Sequence, residues 1–144
     1  MATIRHEVVI NAAPQRIWDV IRDIGAVHER LLPGRVVRTR VEGAERYLTF
    51  RDGHVIRELI VAIDEQSRRL AYAVTSGARP PLEYHHASFE VRDEGEHGRL
   101  IWTTDVLPDT VAPEIHPNPA RNRRDEAGDR SRRVTRHRVQ LTAR

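Results

Sequence analysis

Residues 52–77 read DGHVIRELIVAIDEQSRRLAYAVTSG and contain two strand patterns separated by a short polar turn. Both segments, 54–63 and 69–76, are rich in β-branched and aromatic residues, which favour extended structure. Turn-forming residues border them, with Asp52 and Gly53 before the first segment, the polar stretch 64–68 between them and Gly77 at the end. The stretch therefore predicts two neighbouring antiparallel strands.

The Asp52-Gly53 pair is the strongest turn signal in the chain. A two-residue type I′ turn requires a positive φ at both central positions, and Asp-Gly adopts that conformation at low cost. We therefore expect a type I′ hairpin at this position.

Strand signals continue on both sides of this stretch. The predicted strands are 3–11, 35–41, 46–50, 54–63, 69–76, 83–91 and 99–107, and short turns join the last six. A short amphipathic helix begins at Pro14, with Ile17, Val20, Ile21 and Ile24 at helical spacing, and a second helical turn covers 26–32. The pattern predicts an α+β fold in which two short helices follow the first strand of a curved, seven-stranded antiparallel sheet.

The composition excludes several chemistries. The 144 residues are enough for one domain, and no apolar run approaches the length of a membrane span. The absence of cysteine excludes disulfides, thiolate zinc sites and a cysteine nucleophile, and the absence of lysine excludes lysine Schiff bases and a P-loop. The N-terminus lacks the features of a signal peptide, so we expect a cytoplasmic protein.

Four strings appear in an order that resembles one protein superfamily. They are VVINAAPQRIWDVIRDIG, DGHVIRELIVAID, LAYAVTSGARPPLEYHHASFEV and LIWTTDVLP, and together they cover most of residues 4–108. This order is similar to the START-like, or SRPBCC, superfamily with its helix-grip fold, and in particular to its polyketide cyclase/dehydrase branch. Many relatives carry Trp-x-Pro after the first helices, where this chain reads LLPG, so Leu31 is expected to pack there.

The resemblance implies a function. In that superfamily the sheet and a long C-terminal helix enclose an apolar cavity for a hydrophobic or amphipathic small molecule. We therefore expect a protein that binds or transports a lipid-, polyketide- or steroid-like compound. We expect it to need no cofactor. The alternative is a polyketide cyclase/dehydrase-type enzyme that uses acid and base side chains in the same cavity.

The resemblance also places ligand-binding residues on this chain. Glu58, Tyr72, Tyr84 and His86 correspond to positions that line the pocket in the hormone-receptor members, and 76–81 lies near the loops that gate it. Three of the four have an ordinary alternative: Glu58 as a rim residue paired with Arg57 or Arg69, and the two tyrosines as sheet packing.

The neighbouring His85 and His86 must point to opposite faces of a strand, and His86 is expected to point inward. Because the two rings diverge, they cannot ligate one metal ion, and we expect no metal site. The side taken by Trp102 depends on the length of the 93–98 turn and stays open.

The C-terminal residues differ in composition from the rest. Residues 121–144 carry nine arginines against three acids, whereas residues 1–120 carry 15 arginines against 18 acids. We therefore divide the chain into a domain at 1–116, with a helical turn near 109–115, and an arginine-rich tail at 117–144 that we expect to be mobile. A tail that leaves the cavity open would favour a two-fold homodimer, and without aromatic residues it is not expected to bind nucleic acid.

Overall fold

The computed structural model describes residues 1–111. These residues form a seven-stranded antiparallel sheet in the order β1-β7-β6-β5-β4-β3-β2, which confirms the predicted fold class. The strands are β1 (Ala2–Ile10), β2 (Val36–Glu42), β3 (Glu45–Phe50), β4 (Val55–Asp64), β5 (Arg69–Ser76), β6 (Tyr84–Glu94) and β7 (His97–Leu107). Helix α1 (Pro14–Arg22) and a π-helical turn (Val27–Leu31) follow β1, as expected.

Helix α1 packs against one face of the sheet, here called the inner face. Pro14 begins the helix, where its fixed φ is compatible with the first turn. Ile17 and Trp18 are fully buried in a cluster with residues of β5 and β6. The indole Nε1 of Trp18 donates to Glu65 Oε2 at 2.6 Å, and this bond ties α1 to the turn between β4 and β5.

The turn between β3 and β4 differs from the predicted type I′ hairpin. The Gly53 N–H bonds to the Phe50 carbonyl at 3.0 Å and the Phe50 N–H bonds to the His54 carbonyl at 2.8 Å, so the loop has three residues. Gly53 has a φ of 86°, whereas Asp52 does not have a positive φ and accepts the His54 N–H at 2.9 Å. A three-residue loop needs a positive φ only at its last position, which glycine supplies.

The turn between β6 and β7 determines the side of Trp102. Glu94 pairs with His97, which leaves a two-residue loop and places Trp102 directly opposite Phe89. Trp102 therefore lies on the inner face with Phe89 and the α1 contacts. Leu31, at the end of the π-helical turn, packs against two clusters of buried apolar residues, in line with the packing role expected from the LLPG sequence.

The described chain ends in a 3-10 turn, Asp109–Val111, at the start of the predicted 109–115 helical segment. The predicted tail at 117–144 lies outside the described residues. Within residues 1–111, no helix is both long and apolar enough to cross a membrane.

Candidate functional site

Four aromatic rings form a continuous row on the inner face. Trp102 stacks on Phe89 with ring centroids 5.2 Å apart, and Phe89 stacks on Tyr72 at 5.9 Å. Tyr72 in turn lies 5.9 Å from the His85 ring. The row crosses β7, β6 and β5, and strand alternation explains it because Phe89 and His85 share parity on β6.

A buried ion pair adjoins this aromatic row. Arg46 on β3 and Glu58 on β4 are directly opposite each other, and Arg46 Nη2 lies 2.6 Å from Glu58 Oε2. Arg46 Nε donates to the same oxygen at 2.7 Å. The guanidinium carbon of Arg46 lies 5.7 Å from the Tyr72 ring centroid, so the pair and the row form one continuous site. We call these six residues the inner site.

Burial shifts the pKa of three groups in the inner site. Burial raises the pKa of Glu58, and the Arg46 guanidinium opposes that rise only in part. Burial also raises the pKa of the Tyr72 hydroxyl far above its usual range, while it lowers the pKa of His85. Burial thus shifts the pKa of a carboxyl group and that of an imidazole in opposite directions within one apolar site.

The structure brings together two of the four predicted site residues. Glu58 is 5 % exposed and Tyr72 is 6 % exposed, and both lie on the inner face. The alternative of an exposed Glu58 paired with Arg57 or Arg69 is wrong, because its partner is Arg46.

The other two predicted residues lie on the opposite face. His86 was expected to point inward, but His85 is the histidine that contacts Tyr72. His86 is the cross-strand partner of Asp105, and Tyr84, with the same parity, is 46 % exposed. The physical reason is strand alternation, which turns Tyr84 and His86 away from the face that buries Phe89.

The sequence contained a signal for His85 that the prediction missed. In β6 the apolar residues Ala87, Phe89 and Val91 alternate with Ser88 and Glu90, which identifies the inward parity. His85 has the same parity as these apolar residues. Arg46 was missed because its pairing depends on the length of the 51–53 loop, which the predicted type I′ turn made one residue too short.

The inner site combines buried aromatic rings with a few polar groups. Apolar walls with a few polar groups are the composition of small-molecule sites, in which the apolar walls supply affinity and the polar groups set orientation. Across residues 1–111, no cluster of three histidine or acidic side chains is placed to hold a metal ion.

Comparison with solved structures identifies the fold. The protein XoxI from Bacillus cereus is similar to this chain, with a TM-score of 0.70 and 20% identity over 85% of this chain and 87% of XoxI. A protein from Thermobifida fusca has a TM-score of 0.66 and 25% identity over 80% of this chain and 83% of its own. Norcoclaurine synthase from Thalictrum flavum has a TM-score of 0.66 and 24% identity over 86% of this chain and 82% of its own.

Sequence comparison identifies the family. A comparison with curated protein sequences found no match. A family described as polyketide cyclase/dehydrase and lipid transport matches residues 1–122. This match supports a role in hydrophobic-ligand binding or in cyclisation. Since it covers most of the chain and agrees with the helix-grip architecture, the protein belongs to the polyketide cyclase/dehydrase and lipid transport family of the START-like superfamily.

Proposed function

We propose that the protein binds and carries a hydrophobic or amphipathic small molecule at the inner site. The observation that carries this proposal is the row Trp102, Phe89, Tyr72 and His85, which ends beside the Arg46–Glu58 pair. The family match supports the same class of ligand.

The aromatic row supplies affinity and the polar groups supply orientation. Apolar ligand surface that leaves water contributes about 25 cal/mol per Å². The Tyr72 hydroxyl, whose pKa burial raises further above the ordinary value of a phenol, carries a proton that it can donate to a ligand oxygen. The ligand class that fits has a long apolar body and one carbonyl or hydroxyl group.

Fluorescence titration tests this proposal. The full chain is titrated with a fatty acid, an aromatic polyketide and a steroid, and the tryptophan emission is followed in the wild type and in Trp102→Phe, which retains only Trp18. We expect saturable quenching by at least one compound, largely lost in Trp102→Phe. The absence of saturable binding by all three classes would contradict the proposal.

Two matched tyrosine variants locate the binding face. Tyr72→Phe removes a hydroxyl from the inner site, whereas Tyr84→Phe removes one from the opposite, exposed face. Loss of one hydrogen bond corresponds to about a tenfold weaker affinity. We expect that loss in Tyr72→Phe and unchanged affinity in Tyr84→Phe, and equal affinities would remove Tyr72 from the site.

A second candidate function is supported by the two opposed pKa shifts. Burial raises the pKa of Glu58 and lowers that of His85, which shifts the carboxyl group toward a proton donor and the imidazole toward a proton acceptor. In a cyclase or dehydrase reaction, neutral His85 would remove a proton from the carbon beside one carbonyl. The resulting enolate would attack a second carbonyl, whose oxygen would take the proton of Glu58. In the loss of water, the Glu58 carboxylate would remove the remaining proton from the attacking carbon and protonated His85 would protonate the leaving hydroxyl, which returns both groups to their starting states.

Turnover separates the two candidates. A β-polyketone substrate analogue is incubated with the wild type, His85→Gln and Glu58→Gln, and mass spectrometry follows the loss of one water. The enzyme hypothesis predicts that both variants bind the analogue but do not convert it, while His86→Gln behaves as wild type. Binding without conversion by the wild type would leave the carrier function.

A further inference from the structure

A groove, here called the outer groove, lies on the face of the sheet opposite the inner site. It crosses β2, β3 and β4, has a volume of about 360 Å³, and is lined by Arg38, Arg40, Tyr47, Thr49 and Val55. Arg46 and Leu48 of β3 are buried on the inner face, so the alternating Tyr47 and Thr49 form the floor of this outer groove.

Cross-strand pairing places its walls around this floor. Arg38 is the direct partner of Thr49 on one side, and Val55 is the direct partner of Thr49 on the other. Directly opposite residues have Cβ atoms about 5 Å apart. A guanidinium, a hydroxyl and an apolar side chain therefore lie in one line across the groove.

The groove has one positive charge that no acid balances. Arg40 stacks on the Tyr47 ring at 4.2 Å and pairs with Glu42, and Arg57 pairs with Glu45. Arg38 is exposed, and within the described part of the chain no carboxylate lies at ion-pair distance from it. Arg38 is thus the cation available to an external anion.

We propose that the outer groove binds a phosphate monoester that carries an apolar substituent. A guanidinium binds two phosphate oxygens through parallel N–H donors, and the third oxygen remains for the Thr49 hydroxyl. A carboxylate held in the same way has no third oxygen for the Thr49 hydroxyl. Val55, which is 42 % exposed, provides the surface for the apolar substituent.

The outer groove is separate from the inner site. Its residues alternate along β3 and β4 with Arg46 and Glu58, which point to the other face. Phosphate binding there does not depend on the proposed carrier function. The phosphate monoester has two natural forms, a soluble ester and a phosphatidic lipid headgroup in a membrane.

Residue-resolved NMR tests the proposal on the full 144-residue chain. Phenyl phosphate is titrated at low salt while the amide signals of Thr49 and Val55 are followed, with inorganic phosphate as the unsubstituted reference. The site variants are Arg38→Gln and Thr49→Val. Arg16→Gln, an exposed residue of α1, is the matched control because it removes the same charge elsewhere.

We expect saturable shifts at Thr49 and Val55 that need about tenfold more phenyl phosphate in Arg38→Gln and an unchanged concentration in Arg16→Gln. Inorganic phosphate is expected to bind more weakly than phenyl phosphate. Equal responses of the two arginine variants, or shifts confined to the arginines of 121–144, would overturn the proposal.

A sedimentation assay distinguishes the two sources of the ester. Phosphatidylcholine vesicles with and without phosphatidic acid are mixed with the wild type, Arg38→Gln and Arg16→Gln. Arg38-dependent binding only to vesicles with phosphatidic acid would assign the groove to a lipid headgroup. Phenyl phosphate binding without vesicle binding would assign it to a soluble ester.

Discussion

Two Arg–Glu pairs join the same two strands, one residue apart, and they lie in different environments. Arg46 and Glu58 are on the inner face with side chains 5% and 7% exposed. Glu45 and Arg57 are on the outer face with side chains 34% and 43% exposed. The chemistry of the two pairs is identical, and only the alternation of the strands separates them.

The difference shows how one sheet produces an apolar site and a polar surface from similar residues. Burial raises the pKa of Glu58 even beside its guanidinium partner, whereas hydrogen bonds from Arg57 and Tyr47 lower the pKa of Glu45. Each member of the inner pair is shielded from water, so its charge depends on the other member for compensation. The members of the outer pair remain partly exposed to solvent, which screens their interaction.

Removing one member of the inner pair is expected to have the largest effect. Glu58→Ala or Arg46→Ala leaves an unpaired buried charge, which lowers the free energy of unfolding by about 3–5 kcal/mol. Urea denaturation measures this loss, with Glu45→Ala and Arg57→Ala as matched controls that shift the midpoint far less. Similar midpoint shifts for the two faces would contradict the assigned burial of the inner pair.

Replacing both members of the inner pair is expected to have a smaller effect than removing either one. In Arg46→Met/Glu58→Leu no buried charge remains, and apolar residues of similar volume often replace a buried pair without loss of stability. We expect the double variant to recover most of the stability that either single variant loses. A double variant less stable than both singles would mean that neighbouring polar groups also need the pair.

The sequence predicts the environment of Glu58 but not its partner. Glu58 lies between Ile56 and Ile60 in one alternating pattern, which indicates an inward carboxylate. The predicted two-residue turn at Asp52-Gly53 would place Tyr47 opposite Glu58. The observed three-residue loop shifts the register by one residue and brings Arg46 there instead.

The orientation of β6 is a second point of difference, although here a local signal was present. Tyr72 lies on the inner face, where the alternation of β5 places it. Tyr84 and His86 were assigned from the resemblance, whereas the alternation of Ala87, Phe89 and Val91 gives His85 the inward parity. The strands and α1 were predictable from local patterns, whereas the composition of the site depends on loop geometry.

The buried histidine of β6, His85, is expected to make stability depend on pH. Burial lowers the pKa of His85, so below its ordinary pKa of about 6.5 the unfolded chain binds protons more readily than the folded chain. The stabilising contribution of neutral His85 to the free energy of unfolding is therefore fully present above about pH 6.5, and it is lost as the pH falls through the folded-state pKa.

Urea denaturation at several values between about pH 7.5 and 5.5 measures this dependence. We expect the midpoint to fall less steeply with decreasing pH in His85→Gln than in the wild type. Equal slopes in His85→Gln and the wild type would mean that burial does not lower the pKa of His85.

The smallest expected effect is the salt dependence of the outer pair. Mobile ions screen exposed charges over about 10 Å at 0.1 M salt and about 3 Å at 1 M, and they screen buried charges much less. We therefore expect the small midpoint difference between the wild type and Glu45→Gln to lose most of its size in 1 M NaCl. The difference for Glu58→Gln should persist, because no water separates Glu58 Oε2 from the Arg46 nitrogens 2.6 and 2.7 Å away. If salt reduced both differences equally, water and ions would reach the inner pair, and the two faces would not differ in solvent access.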